Sequence, residues 1–203
     1  PNTKYSPQKP ETIPGSTKYV EGKTILIVPS ASIETKIHRR TPVFFNPHGR
    51  TNRDFSVMIC NVESAYAGGG LVYGDVLAGV GARGVRIANE VNGVELVLLN
   101  DLSTAVSNYA RTSADLNNVE SKCRFSSLDA SKFLSNYSSP GERLSFVDVD
   151  PFGTPTPYIE PALKSVKNGG ILSLTATDTP ALCGVYRNVA FRRYGGYSLR
   201  TEY

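Results

Sequence analysis

From Leu71 onward the chain repeats one pattern: a short apolar run, a break rich in glycine, aspartate, serine or proline, then a stretch with helical spacing. The runs are Leu71–Leu77, Glu95–Asn100, Cys123–Leu128, Leu144–Val149 and Ile171–Thr175. Parallel neighbours need a crossover of about a dozen or more residues, which the intervening helices supply. The alternation therefore predicts an α/β, Rossmann-like architecture, a mostly parallel doubly wound sheet with helices on both faces. Helices are expected up to Val91 (closed by Gly93), from about Thr104, and after a cap at Asp129 or Ser131. A further helix should carry Pro157 and Pro161 in its opening turns and Lys164 and Lys167 near its end, with Gly169-Gly170 closing it.

Upstream the pattern is less regular. Residues 1–24, rich in Pro, Thr, Ser and Lys, read as an arm, and Ile25-Leu26-Ile27-Val28 as a short strand ended by Pro29. A basic stretch, Lys36-Ile37-His38-Arg39-Arg40, precedes Val43-Phe44-Phe45-Asn46-Pro47. From Asp54 to about Tyr66 the spacing of Phe55, Val57, Met58, Ile59 and Val62 suits a packed helix, stopped by Gly68-Gly69-Gly70. This divides the chain into residues 1–66 (arm, strand and a covering segment) and residues 67–203 (the alternating unit). Five strands are few for a doubly wound domain, and the chain reads as the N-terminal part of a longer protein. At 40% hydrophobic and 20% charged the composition is that of a soluble globule, and no apolar stretch approaches the roughly 20 residues that span a bilayer. Cys60, Cys123 and Cys183 are odd in number and widely spaced, which fits reduced thiols in the cytoplasm and no metal site. A net charge of +4 mildly favours a polyanionic partner.

Two segments carry chemistry. Leu144–Val149 runs directly into Asp150-Pro151-Phe152-Gly153-Thr154-Pro155, so a buried strand opens at its carboxyl end into a rigid loop, where open α/β sheets place ligands. An Asp-Pro-aromatic there suits holding the amino group of a flat base beside a methyl donor: carboxylate and carbonyl oxygens accept its hydrogens, proline removes a competing N–H, and the ring offers a stacking face. A strand-to-turn exit with Asp150 as a helix cap accounts for the same residues. The second segment, Gly79-Val80-Gly81-Ala82-Arg83-Gly84, satisfies G-x-G-x-x-G between a strand and a helix, with Asp101 ending the next strand where a ribose-binding carboxylate belongs. Asp75, just before the loop, would repel a pyrophosphate and attract a sulfonium or ammonium group, which favours S-adenosyl-L-methionine over a dinucleotide. A plain turn capped by Asp75 remains the alternative. Glu21-Gly22-Lys23-Thr24 ends like a phosphate loop, but a strand follows where a helix is needed; His38 and His48, in polar sequence, read as surface histidines.

Taken in order, these segments resemble the tRNA guanine-N2 dimethyltransferases, which methylate the exocyclic amine of guanosine 26. The resemblance runs from Glu21-Gly22-Lys23 through Val43–Pro47, Asn52-Arg53-Asp54, Asp75–Ala78 with Gly81–Arg86, Asn100–Ser103 and Asp148–Pro155. It continues to Thr175–Thr179, Leu182-Cys183-Gly184 and Arg192–Gly195. It implies S-adenosyl-L-methionine as cofactor and tRNA as partner. Phe44, Arg53 and Arg83 would lie near the methionine moiety, with Arg53 on its carboxylate. Asp101, with Leu102 beside it, would hold the ribose, and Asp129 and Ala130 would flank the adenine. Asp150 would be the catalytic carboxylate, preceding Pro151 and a Phe152 that stacks on the guanine. The chain departs from the family at His48-Gly49. Arginines 39, 40, 187, 192, 193 and 200 are candidate phosphate contacts. A nicotinamide-dependent dehydrogenase and a non-catalytic RNA-binding module stand as rivals, and amino-group methylation of rRNA or of DNA adenine is possible within the same chemistry.

Overall fold

The computed structural model describes residues 13–34 and 43–198; His38, Arg39, Arg40 and Arg200 lie outside the described residues. The five expected strands are present as β3 (Leu71–Asp75), β4 (Val94–Asn100), β5 (Cys123–Ser126), β6 (Leu144–Val149) and β7 (Val166–Leu174). They form one sheet in the order β5-β4-β3-β6-β7 with every neighbouring pair parallel. The chain moves outward from β3 to β5, then returns to lay β6 on the other side of β3. Strand order thus reverses between β3 and β6, and a crevice opens at their carboxyl ends.

Helices α2 (Arg50–Ala67), α3 (Ala82–Glu90) and α4 (Thr104–Leu116) cover one face. There Tyr73, Phe146, Val97 and Leu99 of the sheet share a core with Val85, Ile87 and Ala110. Helices α5 (Ala130–Ser135) and α6 (Thr156–Ser165) cover the other over Leu98, Val147 and Val149. Short helices α1 (Ala31–Glu34), α7 (Thr179–Leu182) and α8 (Arg187–Tyr194) complete the described chain. Local chemistry sets the ends. Gly68 closes α2 at φ 75°, Asp129 caps α5 by accepting from the Ser131 and Lys132 amides, and Pro157 sits in the first turn of α6, where no N–H is missed.

Three expectations are corrected. Within the presumed arm, Ser16–Glu21 is a strand, β1, paired antiparallel with β2 (Thr24–Pro29) through a Gly22-Lys23 turn; its alternation was masked by lysine, threonine and glutamate. Gly169-Gly170 does not close a helix: α6 ends at Ser165, and β7 runs through Lys167 and both glycines. The register shifts there, and a Cβ on Gly170 would stand 2.8 Å from the Ser145 carbonyl oxygen, so the glycine marks a bulge and close backbone approach. Finally, α2 turns Phe55, Met58, Ile59 and Val62 outward and buries Arg53, Ser56, Val57, Cys60 and Ser64. Its inner face is partly polar because it meets charged partners.

The hairpin is locked by buried charge. Glu21 is fully buried at the turn, accepting from Arg53 Nε (2.7 Å), Arg53 Nη2 (2.6 Å) and Arg86 Nη1 (2.9 Å). Arg86 also pairs with Glu90 (2.8 Å) and Asp54 (2.7 Å). One carboxylate so joins the hairpin, α2 and α3. Glu21→Ala leaves two guanidinium groups short of a buried partner, at a cost of about 3–5 kcal/mol. Thermal unfolding of this variant is expected on the order of 10 °C below wild type.

Candidate functional site

The crevice is organised by four side chains at strand ends. Asn100, fully buried at the end of β4, donates to the carbonyls of Val76 (3.1 Å) and Leu128 (2.9 Å) and accepts from the Leu128 amide and Ser126 Oγ. It pins the exits of β3, β4 and β5 together. Asp101 follows it, one carboxylate oxygen accepting from the Gly79 amide and the other from the Ser103 amide, both at 2.9 Å. Gly79 and Gly81 take φ of 55° and 75°, which L side chains rarely adopt. A Cβ at Gly81 would strike Ala110, whereas one at Gly79 would meet nothing within 4 Å. The loop therefore packs tightly against α4 and stays open toward the crevice.

Asp75 and Asp148 are register partners on β3 and β6, so their side chains share a face. Both are buried. Asp75 accepts from the Gly84 amide at 3.1 Å, and Tyr73 Oη donates to Asp148 Oδ2 at 2.7 Å. Burial, reinforced by Asp148 nearby, pushes the Asp75 carboxyl up to about 8. Burial also raises Asp148, opposed by Arg83.

Arg83, on the first turn of α3, is the hub. Its Nε meets Asp148 Oδ2 at 2.7 Å and its Nη2 meets Asp150 Oδ2 at 2.5 Å. Its Nη1 donates to Asn52 Oδ1 (2.5 Å) and Ser56 Oγ (2.7 Å) on α2. The guanidinium is itself buried, while the Asp150 side chain stays 36% exposed. Next to it Pro151 is buried and Phe152 stands 83% exposed. The Phe44 ring meets Phe152 edge-on at 5.3 Å.

Of the residues singled out from sequence, the structure brings Arg83, Asp150, Phe152 and Phe44 into one neighbourhood, and places Asp75 and Asp101 under and beside the glycine loop. Asp129, exposed, caps α5 with Ala130 buried behind it, and Leu102 is 72% exposed beyond Asp101. Arg53 is placed differently from the expected carboxylate ligand. Its guanidinium is committed to Glu21 and to the Asn46 carbonyl (3.1 Å), which fixes the Asn46–Gly49 turn. Sequence reasoning gave no role to Asn100, Tyr73, Asn52, Ser56 or Glu21. The available signal was a polar residue closing an otherwise apolar strand, as at Asn100.

Asp75 makes the fold pH-dependent. Its proton is held in the folded chain up to about pH 8 but leaves near the ordinary value of 3.8 once unfolded. The stability it contributes is therefore complete below about pH 4 and lost as pH rises through 8. Asp75→Asn removes that loss. The melting temperature of the variant relative to wild type is expected to climb between pH 4 and 8 and then level off. A difference that stays flat with pH would show Asp75 ionised in the fold.

A family model described as N2,N2-dimethylguanosine tRNA methyltransferase matches residues 22–203. A tRNA (guanine(26)-N(2))-dimethyltransferase of Methanothermobacter thermautotrophicus is 38% identical over 90% of this chain and 46% of its own length. A tRNA (guanine(26)-N(2)/guanine(27)-N(2))-dimethyltransferase of Aquifex aeolicus is also 38% identical, with the same coverage. The chain thus spans about half the length of the curated relatives it matches. Among solved structures, Trm1 from Pyrococcus horikoshii in complex with S-adenosyl-L-methionine superposes with a TM-score of 0.77 and 29% identity, covering 91% of this chain and 49% of that one. A SAM-dependent methyltransferase from Agrobacterium tumefaciens shares the fold alone, with a TM-score of 0.61 and 16% identity over 80% of this chain and 53% of its own. The fold is the Rossmann-like one of S-adenosyl-L-methionine-dependent methyltransferases, and the chain belongs to the N2,N2-dimethylguanosine tRNA methyltransferase family.

Proposed function

We propose that this chain carries the catalytic site of a cytoplasmic S-adenosyl-L-methionine-dependent tRNA methyltransferase that acts on the exocyclic N2 of guanosine 26, twice, to give N2,N2-dimethylguanosine. The observation that carries the reading is the convergence of the glycine loop, Asp101 and the Asp150-Pro151-Phe152 exit around Arg83 at one crevice. The charge there fits this cofactor. Two carboxylates, Asp148 and Asp150, share a single guanidinium, a setting that suits a sulfonium and an ammonium and opposes a pyrophosphate. That balance also counts against a nicotinamide cofactor.

S-adenosyl-L-methionine supplies an electrophilic methyl group. Asp101 would accept from the ribose hydroxyls, with Leu102, Asp129 and Ala130 about the adenine and Phe44 and Arg83 toward the methionine end. Arg53 would act at one remove, by holding the Asn46–Gly49 turn, and Asp75 by anchoring the Gly84 amide. The lone pair of a guanine N2 is delocalised into its ring, so most of the rate must come from positioning. Asp150, aimed by Arg83 and reachable from solvent, would accept the N2–H hydrogen bond and take the proton as the new bond forms. Pro151 offers no N–H to compete for that carboxylate. The target base must leave its stack, and Phe152 presents the face that replaces it.

Two measurements test this. Calorimetric titration with S-adenosyl-L-methionine should give saturable binding, weakened about tenfold or more in Asp101→Ala, since each lost hydrogen bond to a charged group is worth about 1.5–3 kcal/mol. Asp150→Asn should keep cofactor affinity within about threefold while methyl transfer to the N2 of tRNA guanosine falls by about 10²–10⁴, the range of a lost general base. Binding of NAD in place of the methyl donor, or full function in Asp150→Asn, would overturn the reading in favour of a dehydrogenase or a non-catalytic module respectively.

A further inference from the structure

The stretch after β7 holds chemistry that the proposed site does not use. From Thr179 to Ser198 the chain carries Arg187, Arg192 and Arg193 and no acidic residue. Large side chains there face solvent: Tyr186 is 59% exposed, Phe191 50% and Tyr197 53%. The Phe191 and Tyr197 rings stack at 5.1 Å with planes 20° apart, and the Arg187 guanidinium lies 5.1 Å from the centroid of the Tyr197 ring. Helix α8 buries only Ala190.

This face is tied to the catalytic loop by two consecutive residues. Thr177 exchanges hydrogen bonds with Gly153, its amide donating to the Gly153 carbonyl (2.9 Å) and its Oγ1 accepting from the Gly153 amide (2.8 Å). Asp178 accepts from Arg193 Nη1 (2.8 Å) and Tyr194 Oη (2.5 Å) on α8. Phe152 is therefore one residue from a clamp whose other jaw holds α8. Exposed rings layered with a guanidinium, on a surface with positive charge and no negative, complement a polyanion whose bases have π-faces to offer.

We propose that Tyr186, Arg187, Phe191, Arg192 and Tyr197 form an RNA-docking surface beside the catalytic loop. Arg187 and Arg192 take backbone phosphates, and the exposed rings take an unstacked base next to the target nucleotide. Arg193 is held by Asp178 and sets the orientation of α8 toward the loop. The methyltransferase reading supplies the identity of the RNA.

The test is fluorescence anisotropy of labelled, unmodified tRNA with this chain, from about 50 to 200 mM salt. The double variant Arg187→Glu, Arg192→Glu is compared with Arg124→Glu, Arg143→Glu, which has the same net charge. Arg124 and Arg143 are exposed, on the far edge strand and at the opposite end of the sheet. The first variant should bind about tenfold more weakly at 100 mM salt, with a log–log salt slope shallower by about 1 for each phosphate no longer neutralised. The second should stay within about threefold of wild type. Tyr186→Ala should lose affinity without changing the slope, as removal of a stacking ring does. Equal losses in both double variants would reduce the effect to net charge and overturn the proposal. So would an unchanged slope in the first, no RNA binding by the wild-type chain, or wild-type dimers that only the first variant breaks. S-adenosyl-L-methionine titrations of the same samples keep the two readings apart: cofactor binding without RNA docking removes only the surface, and RNA docking without cofactor binding removes only the activity.

Discussion

The site depends on the guanidinium of Arg83. It is buried, and burial alone would expel a charge; ion pairs with Asp148 and Asp150 hold it charged. In return it is bonded to α2 through Asn52 and Ser56, to β6 through Asp148, and to the loop after β6 through Asp150. A planar, five-donor group is needed for that, and a lysine ammonium would reach only part of it. The glycine loop, helix α2 and the end of β6 are thus positioned by one side chain. Geometry between them is fixed by hydrogen-bond lengths of 2.5–2.7 Å rather than by loop packing.

A second buried charge cluster performs the matching task on the hairpin side. Arg53 follows Asn52, so adjacent residues on the first turns of α2 serve different networks: Asn52 reaches Arg83, and Arg53 reaches Glu21. The Asn46–Gly49 turn, which precedes α2 and adjoins Phe44, is bonded to Arg53 through the Asn46 carbonyl. The segment that leads up to the crevice is therefore held from outside the crevice. This is why Arg53, which the family resemblance would put on the cofactor's carboxylate, spends its donors inside the protein.

The parallel sheet and its order of elements were legible because strand and helix periods alternate cleanly from Leu71 onward, and Leu144–Val149 was read to the residue. What was hidden follows a physical rule. β1 was hidden because its polar residues break the apolar pattern, Lys18 facing water and Glu21 buried against two arginines, and the first half of β7 because glycines at a bulge look like a helix stop. In the site, Asp150, Phe152, Arg83 and Asp101 stood out because each sits at a strand end or loop, where function is expected. Asn100, Glu21 and the Asp75–Asp148 pairing did not, since their partners lie far along the chain: strand register brings together those of Asn100 and the two aspartates, and packing of the β1–β2 hairpin on α2 and α3 brings Arg53 and Arg86 to Glu21.

That register also explains how the fold tolerates an acidic crevice. Asp75 and Asp148 stand side by side on parallel strands, where two ionised carboxylates in a buried setting would repel strongly. Retention of a proton by Asp75 relieves one charge, and Arg83 together with the Tyr73 hydroxyl balances the other. Only Asp150 then presents its carboxylate toward solvent. The protonated Asp75 still accepts the Gly84 amide, so the loop keeps its anchor. Arrival of a cation near this cluster would favour release of that proton, because the ionised form then gains a partner of opposite charge.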